Sequence, residues 1–194
     1  MPREKQFDEQ EVLKKAMLLF WRKGYHDTSI KDLIAFLGIS NASIYNAFGG
    51  KKKLFDRAFS NYRMTNLHAL NDFLSAQKNI KRGLQAIFHR IIEDDCNDPD
   101  CKGCFIVNSI AELIPGDPEF KIVTSQHQKS IEEVFVTHLK LGVRRGQIPD
   151  GKNLEVISTA LYTHMTGLRV VGKTTPNAEE MKASTDAVLS ALLS

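Results

Sequence analysis

The apolar residues of this chain recur at helical spacing almost from end to end, and no stretch alternates as a half-buried strand would. From Asp8 to Lys23, Val12, Leu13, Ala16, Leu19 and Phe20 share one face, Lys14, Lys15 and Arg22 lie off it, and Gly24 supplies a stop. Thr28 or Ser29 is placed to cap a short helix through Phe36, with Asp32 spaced for a capping box with Ser29. Leu37-Gly38-Ile39 reads as a tight turn, Ser40 or Asn41 caps a third helix through Phe48, and Gly49-Gly50 ends it. Six further helical segments follow, at about 51–76, 80–94, 104–113, 118–145, 153–172 and 177–193. The expectation is an all-α fold of about nine helices: a three-helix head over residues 1–56 and a helical body over residues 57–194.

Composition narrows the function classes. The 194 residues carry 26 Lys+Arg against 23 Asp+Glu, with both signs mixed and 42% hydrophobic residues, which excludes global disorder. No apolar run approaches the roughly 18–20 residues of a spanning helix, and the charged N-terminus is no signal peptide, so a cytoplasmic protein with no membrane partner is expected. Three cysteines lying close together, at Cys96, Cys101 and Cys104, make no disulfide framework. The charge is uneven: residues 1–60 hold 11 Lys+Arg and 7 Asp+Glu, the remainder 15 and 16. An anionic partner is therefore expected for the first part only.

Two short helices joined through Gly38 form a helix-turn-helix, with residues 40–48 as the reading helix. Its first turn offers Ser40, Asn41, Ala42 and Ser43, followed by Tyr45 and Asn46. Asn pairs bidentately with adenine, Ala or Ser admits a thymine methyl, and the Tyr45 hydroxyl is long enough to reach a phosphate. Lys51, Lys52 and Lys53 open the next helix against its macrodipole, at about 0.3–1 kcal/mol per charge. A fold tolerates such a cluster more readily when a polyanion sits there.

These residues carry a resemblance. The run Phe20-Trp21-Arg22-Lys23-Gly24-Tyr25-His26-Asp27-Thr28-Ser29-Ile30-Lys31-Asp32-Leu33, then Leu37-Gly38-Ile39-Ser40, then Ala42 to Phe55, resembles the N-terminal domain of TetR-type transcriptional repressors. The body resembles that family more loosely, through Gly103 to Asn108 and Gly167-Leu168-Arg169. The resemblance implies a homodimer that holds a palindromic double-stranded DNA operator and is released by a small-molecule inducer bound in the body. By position, Thr28, Tyr45 and Lys51 look like phosphate contacts, with Lys52 beside them, and Asn41, Ala42, Ser43 and Asn46 look base-proximal. Asn41 stands where many members have Lys, and Gly49 where many have Pro. Ile34 and Phe36 replace small residues, a change expected to concern core packing only.

The Cys-x4-Cys-x2-Cys cluster admits three readings: zinc binding with His89 or Asp98 as fourth ligand, a redox or electrophile sensor at Cys104 beside Lys102, or simple packing. With one Cys-x-x-Cys unit only, no metal is expected, and no cofactor motif is present. Phe88, Phe105, Asn108, Glu112, His127, Phe135, His138, Tyr162 and Thr166 are the candidates to line an apolar cavity with a few polar anchors. Leu161, Met165 and Leu168, with Val188 and Leu192, form the expected dimer seam on the last two helices, where Gly167 permits close approach. Two alternatives to a regulator, a helical enzyme or a protein-interaction module, find less support. No nucleophile–base pair or phosphate loop occurs, so no enzyme is expected, and an interaction module has no use for the lysines at 51–53.

Overall fold

The structure, a computed structural model, describes residues 7–174 and 176–194. They form nine helices and no strand: α1 (Glu9–Lys23), α2 (Ile30–Leu37), α3 (Asn41–Phe48), α4 (Lys51–Ser75), α5 (Ile80–Cys96), α6 (Phe105–Leu113), α7 (Pro118–Arg144), α8 (Leu154–Thr174) and α9 (Ala178–Leu193). The all-α expectation holds.

The helix ends follow from local chemistry. Asp8 accepts from the Gln10 amide at 2.8 Å at the start of α1, and Gly24 ends that helix by donating to the Phe20 carbonyl. Ser29, and not Thr28, caps α2. Its hydroxyl accepts from the Asp32 amide while the Asp32 carboxylate accepts from the Ser29 amide and hydroxyl, a reciprocal capping box. Those hydrogen bonds, with Lys23 at 3.0 Å, hold the Asp32 carboxyl far below the usual carboxylate range. Gly38 takes φ +69 to turn the chain from α2 into α3, a left-handed conformation that any Cβ would strain.

The chain divides into two compact units, the boundary falling inside α4 after Thr65, later than the boundary at residue 56 expected from sequence. In the first unit, Val12, Leu13, Ala16, Leu19 and Phe20 of α1 are buried, as are Leu33, Leu37, Ile44, Phe48, Leu54 and Phe55. The Phe55 ring meets Phe20 edge-on at 5.2 Å and Tyr25 at 5.0 Å. Phe36 is 41% exposed, so its bulk is a surface feature and the core-packing expectation is corrected.

In the second unit one core gathers Leu70 and Leu74 with residues of α5, α7, α8 and α9. Phe88 and Phe135 stack at its centre, 6.4 Å apart. Here the expected dimer seam needs correction. Leu161 has no exposed surface and Leu168 only 6%, while Met165 and Leu192 are partly buried against the same core and Val188 is half-buried. Leu161 and Leu168 are spent within the chain, on the side of α8 that contacts α5 and α7. The side of α8 left open holds Val156, Thr159, Thr163, Gly167, Val170 and Val171, and the open side of α9 holds Ala183, Ala187 and Ala191.

The turn after α7 reaches back to the start of α5. The Gln147 side chain accepts from the Ile80 amide at 2.8 Å and donates to the Lys78 carbonyl at 2.8 Å, and Arg145 donates to the Gln77 carbonyl at 3.0 Å. The Gln147 oxygen, together with Asn79, which accepts from the Arg82 amide, thus meets two of the first donors of α5.

Candidate nucleic-acid interface

Ile44 and Phe48 fix the orientation of α3 by turning their side chains into the core of the first unit. Asn46 lies two residues from each and therefore stands on the opposite side of the helix, with Ala42 one turn earlier on the same side. Both are exposed, as are Ser40, Asn41 and Tyr45. Ser40 caps α3 by accepting from the Ser43 amide at 3.1 Å, and the Ser40 and Ser43 hydroxyls lie 2.9 Å apart. The two serines thus hold each other and shape the helix start. Asn41, Ala42 and Asn46 remain the outward functional groups.

Tyr45 is 54% exposed, and its ring leans over Gly50, where an added Cβ would come within 3.1 Å of it. The phenol therefore points towards the start of α4. There Lys51 places its ammonium 4.3 Å from the Tyr25 ring centroid and 3.5 Å from the His26 carbonyl. Lys52 pairs with Asp56 at 2.7 Å, which cancels part of its charge. Lys53 is exposed and has no acceptor among the described residues, so it extends the basic rim that sequence reasoning centred on Lys51 and Lys52. Arg57 lies over the Phe48 ring, pairs with Glu9 at 2.9 Å and donates to the Ala47 carbonyl.

Thr28 is corrected. It is completely buried, and its hydroxyl donates to the Gly24 carbonyl at 2.6 Å, so it offers no surface to a phosphate and instead fixes the approach to α2.

In the body, the residues expected to line a cavity split into two groups. Phe88, Phe105, Phe135, His127 and His138 are buried. His138 is held on both ring nitrogens, by the Val134 carbonyl at 2.8 Å and the Ser75 hydroxyl at 3.2 Å. Asn108, Glu112, Tyr162 and Thr166 are half-buried. Asn108 donates to the Lys102 carbonyl and accepts from Lys173. Burial pushes the Tyr162 phenol up, against a hydrogen bond with Thr166, and Cys104 is close enough to raise it further.

Cys104 is the cap residue of α6, half-buried and without a side-chain cap bond, while Cys101 is exposed at φ +47 and Cys96 is half-buried with its thiol 3.9 Å from the Met181 sulfur. Among the described residues no three His, Cys, Asp or Glu side chains come together to hold a metal, so the zinc reading is not assembled. No helix among them is long and apolar enough to cross a membrane.

Residues 12–58 match the family model described as bacterial regulatory proteins, tetR family. The chain is 31% identical over 195 residues to an uncharacterized HTH-type transcriptional regulator, YezE, of Bacillus subtilis, covering 99% of this chain and all of that one. It is 25% identical to the HTH-type transcriptional repressor ComR of Escherichia coli over 92% of this chain and 86% of the relative. Its fold matches, at a TM-score of 0.84 and 26% identity over 97% of this chain and 99% of the other, a cysteine-substituted form of the TetR family transcriptional regulator CifR in complex with 26-bp double-strand operator DNA.

Proposed function

The chain belongs to the TetR family of bacterial regulatory proteins, and on that premise we propose that it represses transcription as a homodimer on a palindromic operator and lets go when a small molecule binds its body. The observation that carries the DNA reading is the arrangement of α2, Gly38 and α3. A capped eight-residue helix turns a neutral, hydrogen-bonding face outward, with Tyr45 leaning over Gly50 and Lys51 opening the next helix. That is the division of labour expected of a groove reader, with base contacts at the centre and phosphate contacts at the rim. The unit that ends inside α4 after Thr65 acts as the head, and the unit that follows as the sensing and dimerising body.

The dimer forms through the open sides of α8 and α9. Val156, Thr163, Gly167 and Val170 on α8 and Ala183 and Ala187 on α9 are small or apolar and exposed, which suits close helix packing across a two-fold axis. Two reading helices then enter successive major grooves about 34–36 Å apart. The half-buried polar groups Asn108, Glu112, Tyr162 and Thr166 are the anchors for the inducer. A ligand that binds one separation of the heads better than the other shifts the population away from the operator-bound state.

A gel shift on DNA upstream of the protein's own gene, run over a range of salt and then with candidate metabolites added, tests both parts. Binding that weakens steeply with salt supports the DNA reading, and release by a metabolite supports the inducer. A salt-independent shift, or none, defeats the first part.

A second reading places the switch at Cys104. Cys104 is half-buried at the start of α6 and its side chain makes no cap hydrogen bond, a position where a helix start favours the thiolate. Alkylation of the native dimer at neutral pH tests it. Labelling slower by orders of magnitude than in the unfolded chain ends that reading.

A further inference from the structure

We infer that the base pairs facing the centre of α3 are A·T pairs, with Asn46 reading adenine and Ala42 resting on a thymine methyl. The inference rests on the DNA-binding reading above and specifies what that site recognises.

Three observations carry it. First, α3 has no charged side chain anywhere along its length, Asn-Ala-Ser-Ile-Tyr-Asn-Ala-Phe. Arg or Lys held against the O6 and N7 acceptors of guanine is the commonest specific contact in the major groove, and α3 supplies neither. Arg57, which reaches the end of α3, is already engaged by Glu9, the Ala47 carbonyl and the Phe48 ring.

Second, of the four polar side chains on α3, Ser43 and Tyr45 are directed elsewhere, which leaves Asn41 at its first position and Asn46 opposite its buried side. The Ser40 and Ser43 hydroxyls face each other at 2.9 Å, and the Tyr45 ring is drawn towards Gly50. Asn46, exposed and directly opposite the buried Ile44 and Phe48, keeps both an amide donor and a carbonyl acceptor for the groove. Adenine presents the complementary pair in its major-groove edge, N7 as acceptor and the N6 amine as donor.

Third, Ala42 lies one turn before Asn46 on the same exposed face and offers a bare methyl group there. A thymine C5-methyl is the major-groove feature that matches a bare methyl group. Asn46 and Ala42 therefore select neighbouring A·T pairs within each half-site.

The test is selection of full-length protein on randomised double-stranded DNA, repeated with Asn46→Ala, a surface change that leaves the core of the first unit intact. The position at which Asn46→Ala loses its preference should be an adenine in the wild-type consensus, favoured over guanine by about 5- to 150-fold, the range for one bidentate base contact. Replacing that adenine with 7-deazaadenine should weaken the wild type by a similar factor and leave Asn46→Ala unchanged. A guanine or cytosine at that position overturns the inference, as does a consensus that Asn46→Ala does not alter, while operator binding itself survives. Enrichment of no sequence at all overturns the DNA-binding reading, and this inference with it.

Discussion

Truncating Leu161 separates the packing of the second unit from its assembly with a partner. The side chain has no exposed surface and belongs to the core built around Phe88 and Phe135. Leu161→Ala therefore removes a fully buried isobutyl group and leaves a cavity that α5, α7 and α8 close only in part. The expected loss is about 2–5 kcal/mol. For a chain of this size each kcal/mol moves the melting midpoint by about 2–4 °C, so a loss of about 3 kcal/mol lowers it by roughly 6–12 °C. The comparison is Val170→Arg, on the open side of α8 and 49% exposed, which touches the proposed seam and spares the core. Both variants are followed by thermal melts at matched protein concentrations, because the midpoint of a dimer itself moves with concentration, and by sedimentation. Leu161→Ala should melt early and still sediment as a dimer, and Val170→Arg should keep its helical content and sediment as a monomer. The reverse pattern, a monomeric Leu161→Ala with an unchanged midpoint, would refute the assignment of Leu161 to the intrachain core.

Three further outcomes are expected. Lys51→Ala should weaken binding to all DNA sequences alike and reduce the slope of log K against log salt by about 1, and a changed sequence preference at constant slope would reverse its assignment to phosphate. Gly38→Ala meets no atom within 4 Å, so its cost is the strain of φ +69 alone, about 1–2 kcal/mol in urea unfolding followed through Trp21, and Gly38→Asn should recover part of it. Burial holds the His164 imidazole below its ordinary value of 6.5, with the Thr185 hydroxyl at 3.1 Å and the Phe88 ring against it. The unfolded chain then takes up a proton that the folded chain refuses, so this contribution to stability is intact above pH 6.5 and declines as the pH falls below it. His164→Gln should flatten that part of the stability profile, and an unchanged profile would locate the titration elsewhere.

Signals set by near neighbours were legible in the sequence. Ser29 and Asp32 lie three residues apart and make their capping box without help from the rest of the chain, and Gly24, Gly38 and Gly49 end their helices where the apolar pattern stops. The faces of α3 were legible for the same reason, since Ile44 and Phe48 alone determine which way Asn46 points. Distant packing was not. The outer side of α8 is made of valine, threonine and glycine, so its apolar stripe runs nearly all round and periodicity cannot choose between Leu161 and Val170 as the outward residue. Thr28 and Ser29 are equally good caps by type, and only the closure of Thr28 onto Gly24 separates a buried hydroxyl from a capping one.

The contact between Gln147 and Ile80 sets an order of events for a growing chain. Its two residues are 67 positions apart, so α5 emerges during synthesis long before the side chain that completes its first turn exists. Asn79 gives the helix a local start, but the Ile80 amide stays open to solvent until α7 and the turn beyond it have been made and have folded back. Once closed, that amide is bonded to Gln147, and Ile80 itself has no exposed surface. Its exchange with deuterated solvent then serves as a clock for completion of the second unit, and reports the moment at which a helix begun early is finished by a residue made late.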